Sequence, residues 1–71
     1  MRFSRHARQQ MERRRITAAE VAEALWNRET SYAGRPETRT VVLGRTSGGR
    51  RLKVVVAGEV VVTVADRDEE G

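Results

Sequence analysis

Few side chains in this sequence can do covalent chemistry, and most are of one type. One histidine, one lysine and thirteen arginines accompany ten carboxylates, and there is no cysteine. Six of the arginines and the histidine fall within the first fifteen residues, mostly in the stretch FSRHARQQMERRR. The chemistry such a set suits is phosphodiester chemistry without a metal. Cleaving RNA through its own 2′-OH needs a group to take that proton, a group to protonate the leaving oxygen, and cations to stabilise the charge that builds on phosphorus. Arginine fills only the last role, because it does not deprotonate. The proton-transfer candidates are therefore His6, Lys53, Tyr32 and Glu37. His6 comes first, since histidine is the residue type that changes charge near neutral pH. A plainer role for His6, as a boundary residue hydrogen-bonded to backbone, stays open.

Other chemistries lack their residues. A lone histidine with no cysteine cannot form a zinc site of the usual kind. The segment GRTSGGRR has the glycine spacing of a phosphate-binding loop between Gly44 and Gly49, but Arg50 and Arg51 stand where Lys and Ser/Thr are required. It also joins two strands, whereas such a loop leads a strand into a helix, so a glycine hairpin is the better reading. No serine or threonine has a histidine and an acid in a triad arrangement, and Asp66 and Asp68 lie in the C-terminal segment. Three aromatics, Phe3, Trp26 and Tyr32, are too few for a base-stacking platform. Phe3 reads as core and Trp26 as a packing residue at a helix flank. No metal or cofactor is implied.

The net charge is +4, in alternating blocks. Residues 1–15 and 35–53 are basic, while 16–34 and 54–71 are acidic. The planar guanidinium suits bidentate phosphate contact better than an ammonium does, which points to a nucleic-acid partner. No apolar run approaches the ~20 residues of a membrane span, and no signal-peptide core opens the chain. A soluble cytoplasmic protein is expected.

These residues need a scaffold, and 71 residues allow only one domain. At that size folding buries only about 60% of the surface the unfolded chain exposes. Phe3, Ala7 and Met11 recur at intervals of four and predict a helix over 4–14. In ITAAEV, Thr17 caps a second helix, Glu20 reaches back to the Thr17 N–H, and Ile16 packs on Val21. That helix runs to about residue 28 and is expected to bury Ala18, Val21, Ala22 and Leu25. Residues 30–36 read as a loop. Strands follow at 40–46, 51–57 and 60–65, β-branched and separated by SGG and GE turns, and they make consecutive hairpins. The fold class expected is α+β, two N-terminal helices packed on one face of a three-stranded antiparallel meander. Residues 1–65 form the domain, and 66–71 an acidic disordered tail. Pairing the first two strands around Gly48 and Gly49 sets Val41 and Leu43 with Leu52, Val54 and Val56 against the helices. Val42, Thr46, Arg51, Lys53 and Val55 then form the opposite face. The third strand's register is open.

The N-terminal half, FSRHARQQMERRRITAAEVAEAL, resembles a family of small bacterial proteins largely of unknown function. Their pattern runs His-Ala-x-x-Arg-Met-x-x-Arg-x-Ile-Ser/Thr-x-x-x-Val, and GRTSGGRRLKVVV looks like their hairpin and second strand. Here His6, Ala7, Met11, Arg14, Ile16 and Val21 match, as do the basic positions Arg45 and Lys53. Gln10 stands where the pattern has arginine, and Arg15 where it usually has glycine. In element order the family is similar to the RelE and BrnT toxins of toxin–antitoxin systems, small ribonucleases that act on RNA, often at the ribosome, and are silenced by an antitoxin. The resemblance implies an endoribonuclease with His6, Lys53 and Arg45 as catalytic residues and Arg8, Arg14 and Arg51 as RNA-binding residues. Its partners would be RNA or the ribosome and a protein antitoxin. The rival expectation is a non-catalytic module that binds an antitoxin-like partner or a second copy through its sheet face or an exposed edge strand, 60–65.

Overall fold

The computed structural model describes residues 1–70, without the side chains of Glu69 and Glu70. Its elements are β1 (Arg2–Phe3), α1 (Arg5–Arg14), α2 (Ala18–Trp26), β2 (Arg28–Ala33), β3 (Arg39–Arg45), β4 (Arg51–Ala57) and β5 (Val60–Asp66), followed by a 3-10 turn over Arg67–Glu70. The sheet is five-stranded and mixed, in the order β1-β5-β4-β3-β2, with β1 parallel to β5 and all other neighbours antiparallel. Two helices and an α+β architecture agree with expectation; the three-stranded meander does not. Sequence reading lost one strand at each end because neither carries apolar alternation. β1 is two residues long, and all six residues of β2 are exposed. Of the stretch expected as an acidic tail, Asp66 closes β5, 67–70 form the 3-10 turn, and Gly71 lies outside the described residues. No helix among the described residues is long and apolar enough to cross a membrane.

Both helices are built by local signals. Ser4 caps α1, its Oγ accepting the Ala7 N–H at 3.0 Å. After α1, Arg15 turns left-handed (φ 55), and the N–H groups of Arg15 and Ile16 reach back to Glu12 and Met11. This double return, with Ile16 buried beside Met11, is the Schellman ending. The capping box of α2 is present in full: the Thr17 N–H donates to Glu20 Oε1 at 2.9 Å, and the Glu20 N–H donates to Thr17 Oγ1 at 3.1 Å. The helix ends at Trp26 and is rotated from the expected setting: Val21 and Ala24 are buried and Leu25 partly so, while Ala18 and Ala22 are exposed.

The β3–β4 hairpin is centred on Gly48 alone. Its loop, 46–50, is closed by the Thr46 N–H on the Arg50 carbonyl and the Arg50 N–H on Thr46 Oγ1. The pairs are therefore Val42 with Val54, Leu43 with Lys53, Gly44 with Leu52 and Arg45 with Arg51. Directly opposed residues share a face, so this one-residue slip exchanges the two faces of β3. Val42 and Gly44, not Val41 and Leu43, join Leu52 and Val54 beneath the helices. The core is Ala7, Met11, Ile16, Val21, Ala24, Leu52, Val54, Val61 and Val64, with Phe3, Leu25 and Val56 packed against it. A bulge at Val62 puts Val61 on the helix side and Thr63 on the other.

Gly44 shows how tightly helix and sheet are joined. A Cβ built there would overlap the Ala24 carbonyl of α2, so this glycine serves backbone approach rather than phosphate binding. Glu23 of α2 holds the same hairpin, accepting the Ser47 N–H at 3.1 Å and the Ser47 hydroxyl at 3.0 Å.

β5 is not an edge. β1 covers its start, the Ser4 N–H donates to the Val61 carbonyl, and the Ser4 hydroxyl donates to Val62 O. Beyond that, the Val64 N–H donates to Gln10 Oε1 at 3.0 Å. The open lateral edge belongs to β2.

Candidate nucleic-acid interface

Alternation along the strands assembles the face away from the helices. Its first row is Tyr32, Val41, Val55 and Thr63, and its second is Thr30, Leu43, Lys53 and Ala65. A third row sets Arg45 beside Arg51. Strands lie about 4.8 Å apart and alternate residues about 6.8 Å apart along a strand, so these rows form a small grid with an apolar end and a basic end. Tyr32, 47% exposed, stands at the margin of the apolar end.

The basic end carries more than the strands supply. A register irregularity between Arg28 and Thr30 frees Glu29 from the ladder. Its carboxylate bridges two cations: Arg45 Nε donates to Oε2 at 2.9 Å, and Arg67 Nη1 donates to Oε1 at 3.0 Å. Arg51 lies 3.6 Å from Asp68 of the 3-10 turn. Among the side chains described, Arg45, Arg51, Lys53 and Arg67 outnumber Glu29 and Asp68 on this face. Sequence reading missed Arg67 and Glu29, since one lay in the expected tail and the other before an expected loop. Glu29 and Arg45 are sixteen residues apart, and no local pattern links them.

The other residues singled out lie elsewhere. His6 and Arg8 are exposed on α1, which packs against the helix side of β5. Arg14 is half buried at the end of α1, where its carbonyl accepts from Arg50 Nη2 at 2.9 Å. The structure thus brings Arg45, Lys53 and Arg51 together and sets them on the opposite side of the sheet from the helix that carries His6, Arg8 and Arg14.

Arg50, which spoiled the resemblance to a phosphate loop, has a structural task. Its Nε and Nη2 donate to the two oxygens of Asp66 at 2.7 and 3.0 Å, and its Nη1 donates to the Arg15 carbonyl at 3.1 Å. Glu20 lies 3.7 Å from the same guanidinium. Hydrogen bonding to Arg50 holds the Asp66 carboxyl below its ordinary range, against the opposing effect of burial and with help from the charges of Arg50 and Arg14. Hydrogen bonding to Asp66 raises Arg50 correspondingly.

A family model, the domain of unknown function DUF4258, matches residues 3–68, from the strand before α1 to the 3-10 turn. The chain belongs to the DUF4258 family. No curated protein and no solved structure matches it. The family match covers β2 to β5 in full and begins at Phe3 of β1, so the basic outer face and the Arg50 junction both lie inside this DUF4258 domain.

Proposed function

We propose that this domain engages RNA through the outer face of its sheet, as a toxin-like protein of the cytoplasm. The observation that supports the reading is the register of β3 on β4, which puts Arg45, Arg51 and Lys53 on one face away from the helices. Cations spaced by a sheet lattice contact successive phosphates without demanding a base sequence. The likeness to RelE and BrnT toxins belongs to this proposal: there the outer face would hold messenger RNA, with Arg45 and Lys53 stabilising charge on phosphorus and His6 moving a proton. A single RNA strand would have to pass around the side of the sheet that β1 and α1 close to meet all three, because His6 rises from α1 on the other side. Binding is therefore placed ahead of cleavage in this reading.

The test is anisotropy of labelled single-stranded RNA over a salt series. The variant R45A/R51A/K53A is compared with R5A/R8A/R13A, which removes three exposed arginines of α1. The outer-face variant should lose affinity and lower the salt slope by roughly two, and the α1 variant should change both less. Equal losses, or no binding by the wild-type chain, overturn the assignment. Mapping new 5′ ends in total RNA and on translating ribosomes, with K53A and H6A beside the wild type, tests cleavage separately.

One observation favours a protein partner as a second reading. β2 is exposed along its whole length, and among the described residues no strand pairs its outer edge. An antitoxin-like segment could add there as a sixth strand. Backbone exchange protection of 28–33 on adding the partner would support it.

A further inference from the structure

The outer face of the sheet has a cation at its far end as well. β3 begins at Arg39, which alternation places on the same face as Val41, Leu43 and Arg45. Gly34 stands beside it, its N–H donating to the Arg39 carbonyl at 2.8 Å. Two residues earlier on β2, Tyr32 lies opposite Val41 and is 47% exposed. Neither the Arg39 guanidinium nor the Tyr32 hydroxyl has a hydrogen-bond or ion-pair partner among the described residues. A Cβ built on Gly34 would meet Arg39 Cβ at 3.3 Å and Val41 Cγ2 at 3.5 Å, so the side chain that glycine omits would have stood on this face. Tyr32, Val41 and Arg39 therefore frame a gap over Gly34, with a ring, an apolar floor and an uncommitted cation.

We infer that this gap takes one unpaired base of a single-stranded RNA, stacked on Tyr32 with its phosphate on Arg39, while the strand continues along β3 toward Arg45 and Arg51. The inference rests on the outer face being the RNA surface and adds which form of RNA it takes and which residue selects it. Tyr32 and Arg39 are diagonal neighbours across β2 and β3, about 7–8 Å apart, so a single nucleotide can meet both. Charge agrees. Residues 34–39, which lead into β3, carry Arg35 and Arg39 against Glu37. From Arg39 to Arg45 is about 20 Å along the strand, with only Val41 and Leu43 between them on this face. Cations at both ends of an apolar stretch suit a chain that alternates phosphates with flat bases. A duplex offers no such match, because its base faces are stacked on one another and closed to Tyr32. One ring holds one base and makes no platform for successive ones. Stacking on it tolerates any base, so the selection is for a single strand rather than for a sequence.

The test compares three probes of equal length: single-stranded RNA, the same RNA as a duplex, and an abasic tetrahydrofuran oligomer that keeps phosphates but has no bases. The wild-type chain should bind the single strand roughly tenfold more tightly than the abasic oligomer. Y32A should bind both at the weaker level, with unchanged circular dichroism because β2 is exposed along its length, and Y32F should keep the preference, since stacking uses the ring and not the hydroxyl. R39A should lose affinity for both probes and lower the salt slope by about one. Loss in R45A/R51A/K53A with Y32A equal to wild type overturns the base slot and leaves the outer face as a phosphate surface. Y32F as weak as Y32A, or a duplex bound as tightly as the single strand, also overturns the slot. A wild-type chain that binds none of the probes overturns the slot and the RNA reading together.

Discussion

Arg50 and Asp66 are joined by two hydrogen bonds, at 2.7 and 3.0 Å, between the closing loop of the β3–β4 hairpin and the last residue of β5. The remaining donors of Arg50 hold the carbonyls of Arg14 and Arg15, so one guanidinium ties the end of α1 to two strands. Asp66→Asn should cost about 2 kcal/mol, as expected for a bond between charged groups that leaves its partner unmatched. The sign of the pH effect follows from the lowered Asp66 carboxyl. Its contribution is present above the unfolded value of about 3.9 and is lost as pH falls through the folded value below it. Urea titrations should find the gap between wild type and Asp66→Asn wide at neutral pH and closing below about pH 4; a constant gap would contradict the coupling.

Gly44→Ala should be the most damaging small substitution in the chain. The added methyl meets the Ala24 carbonyl, which is helix backbone and cannot rotate aside. A loss of about 3 kcal/mol or more is expected. Thermal melts compared with Gly48→Ala, whose added Cβ would meet only Thr46 Oγ1 at 3.8 Å, separate overlap from a general effect of losing glycine.

Arg15→Gly should stabilise the protein. Arg15 sits at φ 55, where a side chain costs about 1 kcal/mol and glycine does not, and its bond to Arg50 is made by the carbonyl, which glycine keeps. An increase of about 0.5–1 kcal/mol in unfolding free energy is the expected reading, and a decrease would show that the arginine side chain contributes more than the strain takes away.

Gln10 acts as an acceptor for the Val64 N–H on the flank of β5 that β1 does not reach. Gln10→Glu keeps that acceptor, and Gln10→Arg has none. The arginine variant should lose about 1–2 kcal/mol and speed hydrogen exchange at Val64, while the glutamate variant holds both near wild type.

Glu29→Gln removes the carboxylate shared by Arg45 and Arg67. If the outer face binds phosphates, this variant should bind RNA roughly three- to tenfold more tightly at low salt, with the advantage shrinking as salt rises. Unchanged binding would remove Arg45 and Arg67 from the interface.

The local signals in the chain translated directly into structure. The Thr17 and Glu20 capping box, the turn at Gly58 and the alternation of β4 are set by residues within a few positions of one another, and short-range hydrogen bonding and side-chain periodicity decide them. Arg51, Lys53 and Val55 were readable as a face for the same reason. The Schellman ending at Arg15 was hidden because the residue in the left-handed position is not glycine.

What remained to the folded chain is everything carried by backbone pairing between distant segments. β1 and β2 hydrogen-bond through groups that every residue possesses, so an exposed strand such as RETSYA leaves no apolar pattern to read. The register of β3 turns on one residue of loop length, and the hydroxyl of Thr46 closes the loop one residue earlier than glycine spacing suggests. That slip moved Val41, Leu43 and Arg45 to the outer face and Gly44 under the helix. Composition determined that the protein is basic and without cysteine; pairing across the sheet decided which of its cations stand together, because side-chain faces follow register and register is settled only when the strands meet.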